Sequence, residues 1–169
     1  GVPRLVVPGF EADDVIATLA KQGEAAGWDT YIVSGDKDFC QLVSDRIQLY
    51  NPWQSAKGGG GTQSHDGSVM GPAEVSARWG VSPAQFRDFL ALIGDTSDNV
   101  AGVPGVGPKR AASLLERFGD LETILAQANE VSQRALRENL VQHADQARLA
   151  QKLVTVHTDV PLPVTLPDL

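Results

Sequence analysis

GDTSDNVAGVPGVGPKRAASLL, residues 94–115, decides how the rest of the chain reads. Its first six residues carry two carboxylates three positions apart, Asp95 and Asp98, directly after an apolar helix ending in Leu92 and Ile93. Its second half reads as a tight hairpin, Gly105-Val106-Gly107, with Pro108 opening a helix where a missing N–H costs nothing. Lys109 and Arg110 fall in the first turn, while Ala111, Leu114 and Leu115 make a packing stripe. That order aims free backbone N–H groups at a phosphate, and glycine lets the ligand come close. The two cations add affinity that does not depend on base sequence. A ligand-free helix–helix connection would explain a bare GxG. The combination of turn, helix start, cation pair and stripe favours phosphate binding.

Upstream, the pattern alternates helix and strand. Glu11 to Ala26 reads as a helix with Ala12, Ile16 and Leu19 on one stripe and Gly27 placed to end it. Thr30 to Ser34 (TYIVS) reads as a short buried strand, followed by a short helix from Lys37 to Val43 and a strand from Ile47 to Tyr50. Helix and strand in alternation predict an α/β unit with a mainly parallel sheet, and Asp36 stands at a strand's carboxyl end, where such sheets place their sites. Asn51 to Gly67, dominated by the Gly58–Gly61 run, reads as a loop, with Ser55 to Gly67 a surface excursion. Lys57 precedes those glycines, the reverse of a nucleotide-binding loop. Pro72 to Trp79 and Pro83 to Ile93 read as helices, and Pro108 to Val156 as helical pieces broken at Gly119 and near Asn129. The composition shifts near Gly94. The expected divisions are an α/β part over 1–93, a helical part over 94–158 and an extended tail over 159–169.

Three acidic clusters stand out: Glu11, Asp13 and Asp14 in GFEADDV, Asp36 and Asp38 in SGDKDF, and Asp95 and Asp98 in GDTSDN. Singly, each has a plain account as a helix cap, a turn or a response to the helix dipole. Together they are better explained by convergence on cations in one pocket. Oxygen-only donors, with no His or Cys among them, select hard ions such as Mg²⁺ or Mn²⁺ over zinc. Several carboxylates are what two ions at about 3.5–4 Å would need for in-line attack on a phosphodiester. His65, His143 and His157 stand alone and read as surface or structural.

The bulk numbers agree. With 169 residues, 42% hydrophobic and 21% charged, the chain has the composition of an ordinary globule. A single cysteine, Cys40, excludes an internal disulfide and fits a reducing, cytoplasmic setting. The net charge of −7 looks unsuited to a nucleic-acid partner. However, residues 1–100 hold 13 acids against 7 bases, and the three clusters supply seven of those acids. The negative excess is local, and bound cations would offset much of it.

With GFEADDV, SGDKDFCQL, LALIGDTSDNVAGVPGVGPKRAASLL and VHTDVPL in this order, the chain resembles the 5′-nuclease and flap-endonuclease family of bacterial DNA polymerase I. The resemblance implies a PIN-like (resolvase-like) α/β domain followed by a helix–hairpin–helix subdomain. It also implies two-metal hydrolysis at 5′ ends, flaps or nicks in DNA during replication and repair, in the bacterial cytoplasm at the nucleoid. Carried over by position, Glu11 and Asp13 resemble first-metal ligands, and Asp36, Asp38, Asp95 and Asp98 resemble second-metal ligands. Asp14 resembles an inner- or outer-shell member of the catalytic set. Gly102, Val103, Gly105, Val106, Gly107, Lys109 and Arg110 correspond to the DNA-binding hairpin, with a monovalent cation (K⁺) expected around Val103 to Val106.

The family's domain opens with an upstream strand and aspartates that these residues do not include. The expectation is therefore a central and C-terminal nuclease segment, short of ligands at the first metal site, with a polymerase domain able to follow. A non-catalytic DNA-binding module, in which the carboxylates are structural, is the alternative. A phosphate-signalling receiver domain would also cluster aspartates, but it leaves the hairpin unexplained.

Overall fold

A computed structural model describes residues 3–55 and 67–166, which fall into two compact units: Gly1–Pro72 with Val156–Leu169, and Ala73–Thr155.

The first unit is a small mixed sheet with one long helix. Helix α1 (Ala12–Ala25) is preceded by Glu11 at its N-cap, and Gly27 leaves the helix in the left-handed region at φ +81°. Its buried positions are Val15, Ala17, Thr18, Ala20 and Gly23. This corrects the stripe read from sequence: Ala12 is exposed, and Ile16 and Leu19 are half-buried. The reason is close packing. A Cβ on Gly23 would come within 2.9 Å of Thr30 Oγ1, so the face of small residues is the one that meets the sheet.

Strand β1 (Thr30–Val33) pairs in parallel with β2 (Ile47–Ser55), with Thr30 opposite Ile47 and Val33 opposite Tyr50. Strand β3 (Gly67–Met70) joins the far side of β2 antiparallel. Strand β2 therefore outruns the expected end at Tyr50. It passes through Pro52 by an irregularity in register between Asn51 and Ser55, the kind of place where a strand tolerates proline. Strand β3 carries no strong sequence signal. The glycine-rich stretch at 56–66 lies outside the described residues.

Between β1 and β2, the expected short helix is a 3₁₀ helix (Lys37–Leu42) that buries Phe39, Cys40 and Leu42. The final segment has no helix or strand through Thr165, apart from bends. It is nevertheless tied back: Val160 is buried and donates its N–H to Thr18 Oγ1 at 3.1 Å.

The second unit is almost wholly helical. Helix α2 (Pro72–Trp79) is followed by a 3₁₀ turn (Pro83–Gln85) and α3 (Phe86–Ile93), so the single helix expected from Pro83 is divided. Phe86, Phe89, Leu90 and Leu92 are fully buried. Around α3 pack α4 (Pro108–Phe118), α5 (Leu121–Ala126) and α7 (Ala144–Val154), with α6 (Arg134–Gln142) preceding α7. Trp79, Phe86 and Phe89 form a ring cluster with centroids 5.7–5.9 Å apart, edge-on or tilted as aromatic quadrupoles prefer. The breaks read at Gly119 and near Asn129 are present, the second as a 3₁₀ turn at Ala128–Glu130. Among the described residues, no helix is long and apolar enough to cross a membrane.

Candidate functional site

In the first unit, the acids of GFEADDV gather at the start of α1. Asp14 is committed to two backbone groups. Its Oδ2 accepts the Glu11 N–H at 3.3 Å, and its Oδ1 accepts the His157 N–H at 2.9 Å. Both oxygens thus hold backbone, which ties the helix start to the returning final segment. Glu11 is exposed and Asp13 half-buried, both within the first turn or cap, where the helix dipole favours anions.

Asp36 and Asp38 follow β1 as the alternation predicts. Asp36 caps the 3₁₀ helix, its Oδ1 accepting the Asp38 N–H at 2.9 Å. That cap fixes the backbone of Asp38, whose side chain is buried and has Lys37 Nζ 3.4 Å from Oδ1. The cap accounts for Asp36, and it places a second, buried carboxylate two residues later.

In the second unit, GDTSDN is more ordered than a loop. Gly94 and Asp95 form β4, which pairs antiparallel with β5 (Val100–Ala101) as a two-residue ladder. The ladder exists because two glycine backbones touch. A Cβ on Gly94, at φ +79°, would lie 2.4 Å from the Gly102 nitrogen, and a Cβ on Gly102 would lie 2.3 Å from the Gly94 nitrogen. Asp95 is 3% exposed, and its Oδ1 accepts the Ser97 N–H at 2.9 Å. Asp98 is exposed on the same turn, which closes through Asn99 at φ +57°, a conformation asparagine accepts better than most residues. One buried and one exposed carboxylate therefore share a single tight turn.

The hairpin follows directly. Val103 and Val106 are buried, and their N–H groups donate to Leu92 and Val103 carbonyls at 2.9 and 3.0 Å. Gly105 has φ +77°, and Gly107 precedes α4 in extended conformation with open space where a Cβ would sit. Among the described residues, no acceptor faces the N–H groups of Gly105, Gly107 or Lys109. The hairpin thus sorts its residues: valines anchor it, and the glycines and helix start turn donors to solvent. Gly102 is glycine because of the Gly94 contact, a role in packing. Arg110 bends back, donating to the Gly105 carbonyl at 2.6 Å.

Sequence reasoning missed three side chains around this hairpin. Asn139 on α6 donates to the Pro104 carbonyl at 2.8 Å. Gln146 on α7 donates to the Gly102 and Ala101 carbonyls at 3.0 and 3.3 Å, and His143 Nδ1 lies 3.1 Å from Gln146 Oε1. No motif could have exposed them, because Asn139 and Gln146 reach the hairpin from at least 35 residues away in sequence and His143 touches it only through Gln146.

Comparison with known proteins agrees with this fold. Residues 1–80 match the family described as "5'-3' exonuclease, N-terminal resolvase-like domain", and residues 81–169 match "5'-3' exonuclease, C-terminal SAM fold". DNA polymerase I of Rhizobium leguminosarum is 44% identical over 98% of the chain, and that of Bacillus subtilis is 38% identical over 99%. The thermostable DNA polymerase I of Thermus aquaticus is 42% identical over 97%. The chain spans only 15–18% of the length of these relatives.

Two solved structures show the fold. The T5 D15 protein co-crystallised with metal ions has a TM-score of 0.74 at 23% identity, over 90% of this chain and 52% of that one. The catalytic core of Rad2 in complex with DNA substrate has a TM-score of 0.55 at 18% identity, over 99% of this chain and 56% of that one. With every residue taken up by one of the two matching halves, the chain belongs to the 5′-3′ exonuclease family.

Proposed function

We propose that the protein from which this chain comes is a structure-specific 5′-3′ exonuclease and 5′-flap endonuclease, cutting DNA phosphodiester bonds at 5′ ends, flaps or nicks. The observation that carries this reading is the single run 94–110. There a tight turn bearing Asp95 and Asp98 leads without interruption into a hairpin with free N–H donors.

The donor chemistry fits hard divalent cations. The candidate residues are all carboxylates, with no imidazole or thiol among them, and two of them, Asp38 and Asp95, are buried. We assign Glu11, Asp13, Asp36 and Asp38 of the first unit, and Asp95 and Asp98 of the second, as ligands for two Mg²⁺ or Mn²⁺ ions. Bound there, such ions supply water activation and stabilisation of the leaving oxygen.

The chain's own residues do the rest. The Asp36 cap and the Ser97–Asp95 bond hold each local pair of carboxylates in place before DNA arrives. The N–H groups of Gly105, Gly107 and Lys109 take a phosphate oxygen, and the Lys109 ammonium adds charge. The carbonyls from Val103 to Val106 suit a monovalent cation such as K⁺ beside that phosphate, since a carbonyl already accepting one hydrogen bond keeps a second lone pair. Asp14, with both oxygens on backbone N–H groups, serves the fold.

The test is cleavage of a labelled 5′-flap substrate by the full-length parent. Asp36→Ala and Asp95→Ala are each expected to abolish cutting while flap binding survives. Mg²⁺-dependent cutting retained in both variants would refute the ligand assignment. Binding without any cutting by the unaltered parent would favour a non-catalytic DNA module.

A further inference from the structure

We propose that Asn139, Gln146 and His143 are positioning residues that set the hairpin in its phosphate-receiving form. This rests on the reading of Gly105, Gly107 and Lys109 as phosphate donors, and it concerns what makes those donors point outward. A trans peptide is planar, so its carbonyl and N–H point in opposite directions, and fixing one fixes the other. The chain has no cis peptide bonds among the described residues.

The Pro104–Gly105 peptide has its carbonyl held by Asn139 Nδ2 at 2.8 Å. Its N–H, that of Gly105, is therefore directed away from α6, and no described residue accepts it. The Gly102–Val103 peptide is held at both ends: Gln146 Nε2 donates to its carbonyl at 3.0 Å, and its N–H donates to the Leu92 carbonyl at 2.9 Å. Gln146 also reaches the Ala101 carbonyl at 3.3 Å. One side chain of α7 thus fixes two consecutive peptides where β5 passes into the hairpin.

Gln146 is itself oriented. With its amide nitrogen committed to the two carbonyls, its oxygen faces His143 Nδ1 at 3.1 Å. With the hydrogen on Nδ1 that contact is a hydrogen bond, and the ring then keeps the amide from flipping. Reversed, Gln146 would set an oxygen against two carbonyl oxygens. The three side chains form a relay from α6 and α7 to the hairpin backbone, and none of them is placed to touch DNA by the proposal.

Such a role predicts weaker DNA binding without loss of a phosphate-contacting charge. The test uses the whole chain with a fluorescent 5′-flap duplex, with Kd read by anisotropy across a salt series. Asn139→Leu and Gln146→Met keep size and neutrality but lose the donors. Each is expected to weaken binding about tenfold with an unchanged salt slope, the scale of one lost hydrogen bond. Lys109→Ala, by contrast, should lower the slope by about one. His143→Phe should weaken binding, and His143→Gln, which restores a donor toward Gln146, should recover it.

Amide NMR resonances of Gly105 and Gly107 supply a readout independent of DNA. They should shift in Asn139→Leu and Gln146→Met even where the helices melt as before. Variants that bind as the parent does, with those amides unmoved, overturn the proposal and leave the hairpin reading intact. A parent chain that fails to bind the duplex overturns the hairpin reading itself, and this proposal with it.

Discussion

Gln151 on α7 donates its side-chain amide to Asp88 on α3 at 2.6 Å, while the other carboxylate oxygen of Asp88 accepts the Leu121 N–H at 3.0 Å. Asp88 is 4% exposed, and Arg87 Nε lies 3.4 Å from the oxygen that Gln151 uses. An acceptor-only group thus joins α3, the start of α5 and α7, all around the core that supports the hairpin. Asp88→Ala should cost about 2–3 kcal/mol, because it leaves two donors without acceptors. Asp88→Asn should still cost about 1–2 kcal/mol, since one of its two positions becomes a donor facing a donor. Urea denaturation checks both, and a fully stable Asp88→Asn would remove the argument.

The Gly94–Gly102 contact gives a sharper prediction. A methyl group on either residue would collide with backbone, which cannot swing aside as a side chain can, and Gly94 also sits at positive φ. Gly94→Ala should therefore destabilise by about 3 kcal/mol or more, combining overpacking with left-handed strain. Gly107→Ala is the control: nothing lies within 4 Å of its Cβ position, so stability should hold within about 0.5 kcal/mol. Thermal melts of the two variants side by side decide it.

These glycines also show where the sequence was legible. The order of elements followed from periodicity and breakers: α1 ends beside Gly27, α4 ends at Gly119, and Pro108 opens α4. The placement of Asp36 after β1 followed from the α/β alternation. Other features depend on tertiary partners that spacing does not encode. The buried face of α1 is chosen by Gly23 meeting Thr30. Strand β3 exists because the edge of β2 from Leu49 to Asn51 receives Met70 to Ser68. Asp14 resembled a member of the catalytic set because it stands in an acidic run; its two backbone hydrogen bonds, one to a residue 143 positions away, could not be read from that run. Asn139 and Gln146 were invisible for the same reason.

Acid should act at the start of α5. The Thr123 N–H donates to Asp120 Oδ1 at 2.8 Å and holds its carboxyl below the usual value, while the Arg148 guanidinium does the same for Glu122. A folded pKa below the unfolded one contributes stability above the unfolded pKa and loses it as pH falls through the folded value. Asp120→Ala should therefore cost about 1 kcal/mol at neutral pH, the usual worth of an N-cap. That cost should shrink once pH drops below the ordinary aspartate range. Asp120→Asn keeps an acceptor and should stay close to the parent at neutral pH. Denaturation midpoints across an acid titration test the sign, and a penalty that grows with acid would contradict it.

Metal addition separates ligand from scaffold. Ions that bind only the folded arrangement stabilise it by mass action, about 2.7 kcal/mol at a hundredfold excess over Kd. For a chain of this size that corresponds to a rise in Tm of roughly 5–10 °C with Mg²⁺ over chelator. Asp95→Asn should reduce the rise, because the variant removes a proposed ligand from its buried place on β4. Asp14→Asn should behave oppositely. It loses an acceptor for the Glu11 or His157 N–H, so it should melt lower with and without Mg²⁺ while keeping the rise. Equal melting of the parent in Mg²⁺ and in chelator would tell against ion binding by these carboxylates. A rise lost in Asp14→Asn but kept in Asp95→Asn would exchange the roles assigned to the two residues.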